Sequence, residues 1–184
     1  MQVNESNLQS NLAESEQNVV LCMKWGTKYG ADYVNRLYNM VKRHTTIDFK
    51  MVCLTDRTEG IDPAVQCFPI PSLALPEGSP ERGWNKLSTF EPDLYGLKGN
   101  LLFLDLDVVI VDNIDDFFTY PGDFLIIHDW KRPWRVTGNS SVYRFKLVHF
   151  QKFCRISVSI LMRFVKNSVM SKPICHGLSM RMVL

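Results

Sequence analysis

Leu101-Leu102-Phe103-Leu104-Asp105-Leu106-Asp107-Val108-Val109-Ile110-Val111 sets two carboxylates in a stretch that is otherwise wholly apolar. A buried, unpaired carboxylate costs several kcal/mol even after relaxation, so something must compensate for two of them. In an extended chain, positions i and i+2 face the same way. The stretch is therefore expected to be a buried strand that presents Asp105 and Asp107 side by side. Two such carboxylates suit one hard divalent cation, Mg²⁺ or Mn²⁺, and that cation would in turn attract phosphate. The plainer alternative is that the chain leaves the sheet here and both carboxylates are solvated or hydrogen-bonded. The return of apolar residues at Val108–Val111 argues against an exposed loop.

Outward from this stretch, strand and helix patterns alternate. Val19–Met23 is a short apolar run of buried-strand type, followed by a glycine-punctuated loop, Trp25-Gly26-Thr27-Lys28-Tyr29-Gly30. Between Ala31 and His44, the apolar residues Tyr33, Val34, Leu37, Tyr38 and Val41 recur at helical spacing. Phe49–Leu54 and Val65–Ile70 read as further strands, and residues 71–83 as a Pro/Gly-rich loop. Trp84–Phe90 reads as a short helix ending before Pro92. Val108–Val111 is expected to continue the central strand, and Ile114–Phe118 to form a helical turn. There Asn113 would be the N-cap, with Asp115 and Asp116 favouring the helix N-terminus. Phe124–Ile127 and Ser141–Phe145 complete the strands. This alternation predicts an α/β fold with a mainly parallel sheet flanked by helices. Ligands of such sheets bind beyond the carboxyl ends of the strands. That directs attention to Lys24–Gly30, Thr55-Asp56, Asp105-Asp107 and His128-Asp129.

The 184-residue chain has ordinary globular composition, 46% hydrophobic and 22% charged, which excludes wholesale disorder. No apolar run approaches the ~18 residues of a spanning helix. The polar, acidic start lacks the basic and apolar regions of a secretory signal. Five cysteines (Cys22, Cys53, Cys67, Cys154, Cys175) without C-x-x-C spacing argue against a disulfide framework or zinc ribbon, and for reduced thiols in a cytoplasmic setting. Charge divides the chain. Residues 1–129 carry 10 Lys and Arg against all 19 acids, a net −9; residues 130–184 carry 11 Lys and Arg and no acid, a net +11. Three parts are therefore expected: a solvated leader over 1–18, a sheet domain over 19–146, and an atypical basic tail over 147–184. In the tail, Phe150, Phe153, Ile156, Ile160, Leu161, Phe164 and Val165 recur at roughly helical spacing among Lys152, Arg155, Arg163 and Lys166. A core-packing helix, a peripheral contact with the inner membrane surface, and a truncated or frameshifted C-terminus all fit that pattern.

The ordered set Asn85-Lys86-Leu87, Leu102 to Val111, and Asp112-Asn113-Ile114-Asp115-Asp116-Phe117-Phe118 resembles the glycogenin-like family 8 glycosyltransferases and their relatives. Asn139-Ser140-Ser141-Val142 is similar to that family's downstream Asn-Ser-Gly-Val. The first strand followed by Tyr29-Gly30-Ala31 and a helix is similar to its nucleotide-binding start. The resemblance spans roughly residues 19–145. It implies a GT-A, Rossmann-like nucleotide-diphospho-sugar transferase fold and a nucleotide-sugar donor, most often a UDP-sugar. Asp105 and Asp107 would be the catalytic, Mn²⁺- or Mg²⁺-binding pair. Lys86 would face the phosphates, Asn139 the donor sugar, and Tyr29 (or Trp25) would stack on the base. Asp56 is a candidate acceptor from the base, and His128-Asp129-Trp130, after a strand, is a candidate lining of the sugar pocket, with a core or rim role as the alternative. The acceptor would be a glycan, lipid or protein; nucleic acid has no role in this reading.

The family's later metal-binding histidine lies in a His-x-x-Gly-x-x-Lys-Pro-like context. Here Lys172-Pro173 precedes His176-Gly177, so that role is not carried to His176. Two other functions compete. One is a non-catalytic nucleotide-sugar-binding remnant. The other is a haloacid-dehalogenase-like phosphatase with Asp105 as nucleophile, although Asp107 is followed by Val108-Val109 rather than Gly-Thr.

Overall fold

Six strands share one sheet in a computed structural model that describes residues 17–73, 84–91, 93–129, 131, 134, 138–147 and 182–183. Most of the leader and nearly all of the tail, with Cys154, Cys175 and His176, lie outside the described residues, as do residues 74–83 of the long loop. The strands are β1 (Asn18–Lys24), β2 (Lys50–Thr55), β3 (Gln66–Phe68), β4 (Asn100–Leu104), β6 (Phe124–His128) and β7 (Gly138–Lys146); the two-residue β5 (Val109–Ile110) lies outside this sheet. Their order is β3-β2-β1-β4-β7-β6. β3, β2, β1 and β4 pair in parallel, and β7 alone runs against its neighbours. The winding moves outward from β1 to β3, then returns to the other side of β1 at β4. The topological switch point thus lies between the carboxyl ends of β1 and β4.

Strand alternation explains both faces. Val20, Cys22, Met51, Cys53, Leu102 and Leu104 point to one side, where helix α1 (Ala31–His44) covers them with Val34, Leu37 and Val41. Val19, Leu21, Leu54, Leu101, Phe103 and Phe145 point to the other. There Leu87 and Phe90 of the 3₁₀ helix Trp84–Phe90 cover them. Each such aliphatic or aromatic burial contributes about 1.5–3 kcal/mol. α1 occupies the segment its periodicity predicts, and its last turn carries Lys42, Arg43 and His44, the charge that a helix C-terminus favours.

The stretch after β4 differs from expectation. Val108 N–H donates to the Asp105 carbonyl at 3.3 Å, closing a turn, so Asp105-Leu106-Asp107 is not extended. Leu106 and Val108 are drawn into the α1-side core, while Asp107 is exposed and Asp105 half-buried. β5 does not continue β4. It forms a separate two-stranded sheet with β8 (Met182–Val183), with Val109 opposite Val183 and Ile110 opposite Met182. Of the apolar residues that suggested a single strand, Leu106, Val108 and Ile110 pin the turn to the core, whereas Val109 and Val111 are exposed.

The next segment is also built otherwise than its sequence suggests. The short helix α2 (Asp116–Thr119) has Asp115, not Asn113, at its N-cap. Asn113 instead accepts from Asp115 N–H through its side chain at 2.8 Å. The Asp115 carboxylate reaches back to the end of α1, where it accepts from Thr46 N–H at 3.0 Å and from the hydroxyls of Thr45 and Thr46. Burial pushes this carboxyl up, but those donors and Asn113 outweigh it and hold its pKa at about 2. Asn-Ile-Asp-Asp is thus a clamp between two helices.

Candidate nucleotide-sugar site

β4 delivers Asp105 to the switch point, where its N–H donates to the Ser141 carbonyl of β7 at 2.9 Å. The Lys86 ammonium lies 2.7 Å from both oxygens of the Asp105 carboxylate. The same ammonium donates to Ser140 O at 3.3 Å and sits 5.4 Å from the centre of the Phe103 ring. Both side chains are about four-fifths shielded, with 19% and 22% exposure, so solvent screens this pair less than a surface one. Lys86 therefore compensates one of the two carboxylates. Beneath it, Tyr143 stacks on Phe103 and shares a hydrogen bond with Thr89; burial pushes the Tyr143 phenol up.

Asp107 takes its partner from the loop after β1. The Tyr29 hydroxyl donates to Asp107 Oδ2 at 2.8 Å. The Tyr29 ring meets Tyr33 edge-on at 4.7 Å, and the Lys28 ammonium lies 4.7 Å from its centre. The loop is shaped by Gly26, whose φ of +64° is the left-handed conformation that glycine adopts without strain. Gly26 N–H donates to Asp56 Oδ2 at 2.9 Å. Asp56 also pairs with Lys24 at 3.8 Å. Its oxygens thus face the protein's own loop, at the end of β2.

A cleft of about 640 Å³, within the ordinary range for ligand sites, opens beside Tyr29 over the ends of β1 and β2. Lys24, Thr27, Arg57 and Glu59 line it together with Tyr29 and the Gly26 turn. A second recess of about 500 Å³ lies at the other end of α1, between Tyr38, Lys42 and residues 45–51.

Tyr29 with Asp107 and Lys86 with Asp105 thus form two hydrogen-bonded pairs on the same turn after β4. Asn139 lies beside it in β7 rather than in a turn, but its side-chain oxygen accepts from Ser141 N–H at 2.9 Å. Trp25 is 37% exposed, in the same loop as Tyr29. His128 ends β6, the edge strand, two strands away from β4. Of the cleft residues, Lys24 falls in the segment beyond β1 to which the sequence directed attention, whereas Arg57 and Glu59 were not singled out. Cys22, Cys53 and Cys67 are free thiols in adjacent register on β1, β2 and β3.

Among the described residues, no cluster of three or more His, Cys, Asp or Glu could hold a metal. The donor set of the Asp105–Asp107 turn still fits Mg²⁺ or Mn²⁺. Those ions are commonly held by one or two carboxylates, with substrate phosphates and water completing the shell.

No family model matches the chain, and no curated protein matches it. Solved structures do. The galactosyltransferase LgtC, in complex with donor and acceptor sugar analogues, superimposes with a TM-score of 0.52 at 13% identity, covering 84% of this chain and 66% of that one. The apo form of the glycosyltransferase GlyE from Streptococcus pneumoniae TIGR4 superimposes with a TM-score of 0.53 at 12% identity, covering 86% of this chain and 41% of that one. The chain therefore spans just under two thirds of the first and about two fifths of the second. These likenesses show the fold, a GT-A architecture with a mostly parallel sheet flanked by helices. No helix among the described residues is long and apolar enough to cross a membrane.

Proposed function

We propose that this chain is a metal-dependent glycosyltransferase of the family 8 type, which moves a sugar from a UDP-sugar to a glycan, lipid or protein acceptor. The observation that carries this reading is the meeting of Tyr29, Lys86, Asp105 and Asp107 at the switch point of a GT-A sheet. The cleft beside Tyr29 has room for a nucleoside, and its diphosphate would extend toward Lys86. Lys86 would oppose phosphate charge while holding Asp105. Asp105 and Asp107 would hold Mn²⁺ or Mg²⁺. When bound, such an ion supplies Lewis-acid neutralisation of charge on the departing diphosphate. Asp56 would serve the donor by fixing the Gly26 turn under the base, and Asn139 would face the sugar.

The phosphatase alternative loses ground on the sequence around the pair: Asp107 is followed by Val108-Val109 rather than by the Gly-Thr of that class. A nucleotide-sugar-binding protein without transfer is the second reading, favoured by the partial span of the matched glycosyltransferases. Release of UDP from UDP-glucose and UDP-galactose, with Mn²⁺ present, separates the two. The enzyme reading expects turnover that falls about a hundredfold in Lys86→Met, the usual order for loss of one charge-stabilising donor. Binding of UDP without turnover of any sugar nucleotide would leave the second reading; neither binding nor turnover would sink both.

A further inference from the structure

We infer that Tyr29 is a positioning residue for Asp107, and that its hydroxyl, rather than its ring alone, is what the site needs. This rests on the proposal that Asp107 holds a divalent cation. Asp107 sits in a turn and is exposed, so nothing in its backbone setting fixes its side chain. Tyr29, by contrast, is fixed. Its ring is half-buried against the α1-side core and Tyr33. Its loop is anchored by the Gly26–Asp56 hydrogen bond. A rigid phenol donating to Oδ2 at 2.8 Å selects one orientation of the carboxylate. Among the described residues nothing else binds this carboxylate, so Oδ1 and the second lone pair of Oδ2 remain for a hard ion.

The two carboxylates are thereby held in different ways. Lys86 orients Asp105 and also neutralises it. Tyr29 orients Asp107 with a neutral hydroxyl, which leaves its negative charge in place. The attraction of the turn for a cation is concentrated on Asp107, so loss of orientation there is felt most. Partners of metal-ligating groups are typically worth 10–100-fold in metal affinity.

The test is a titration of the full chain with Mn²⁺ alone, followed through the resonance of the free ion, on wild type, Tyr29→Phe, Asp107→Asn and the double variant. Tyr29→Phe keeps the ring and its packing and removes only the hydroxyl. The inference expects about tenfold weaker Mn²⁺ binding in Tyr29→Phe, and no further loss when that change is added to Asp107→Asn. Unchanged affinity in Tyr29→Phe, with binding lost in Asp107→Asn, would overturn the inference and leave the metal reading standing. An equal loss from Tyr29→Phe in both backgrounds would also overturn it. Failure of the wild type to bind Mn²⁺ would overturn both.

Discussion

The Asp115 carboxylate, at about 2, lies well below an unperturbed aspartate at about 3.9. A depressed native pKa stabilises the fold above the unfolded value, and that stability is lost as pH falls through the native one. Wild-type melting temperature should therefore drop steeply between about pH 4 and pH 2. Asp115→Asn should melt lower at neutral pH and show a flatter acid limb. Parallel limbs for the two proteins would deny Asp115 the clamp role. Sequence conveyed the side chains here better than their partners. Two isolated acids in an apolar run pointed to Asp105 and Asp107, while Lys86 was reached only through the family resemblance of its Lys-Leu pair. The run hid the turn between them, because Leu106 and Val108 are as apolar as strand residues while serving to anchor a bend. Asp56 showed as an acid after a strand, but its bonds to Gly26 and Lys24 depend on a loop geometry that no local pattern encodes.

At the scale of the element, α1 was legible because five apolar residues mark one face of a 14-residue helix. The central strands were legible as unbroken apolar runs between punctuating residues. Arg144 was not. It lies in β7, fully buried, and its guanidinium donates to the carbonyls of Phe117, Tyr120 and Gly122. Those carbonyls belong to the end of α2 and the turn beyond it, more than 20 residues away, so an arginine amid strand residues gave no sign of burial. The three bonds tie α2 to β7, one strand in from the sheet edge. Arg144→Met should lower stability by about 3 kcal/mol, since hydrogen bonds to a charged group contribute more than neutral ones and three carbonyls would lose their donor. A shift in the urea midpoint measures it. A change under 1 kcal/mol, roughly the worth of one neutral hydrogen bond, would mean that water replaces the arginine there.

Across the whole molecule, β1 and β4 lie at the centre of the sheet with covered faces on both sides, whereas β3 and β6 form its edges. Amide exchange should follow that order, slowest in Leu101–Leu104 and Val19–Met23, and earliest in Gln66–Phe68 and Phe124–His128. Equal protection in centre and edge would contradict the core described. The same centre carries the proposed site, because the switch point between β1 and β4 is where loops diverge. On the proposed function, the Asp105–Asp107 turn receives a nucleoside diphosphate together with a divalent ion. A nucleoside diphosphate brings about two or more negative charges toward two carboxylates, of which Lys86 offsets one; each unscreened like-charge contact costs about 1–4 kcal/mol. Calorimetric titration of UDP into wild type and Asp107→Asn, with and without Mn²⁺, tests this most directly. The account predicts binding to the wild type that strengthens markedly with Mn²⁺, and loss of that dependence in Asp107→Asn. UDP binding of equal strength in both proteins, indifferent to Mn²⁺, would contradict it.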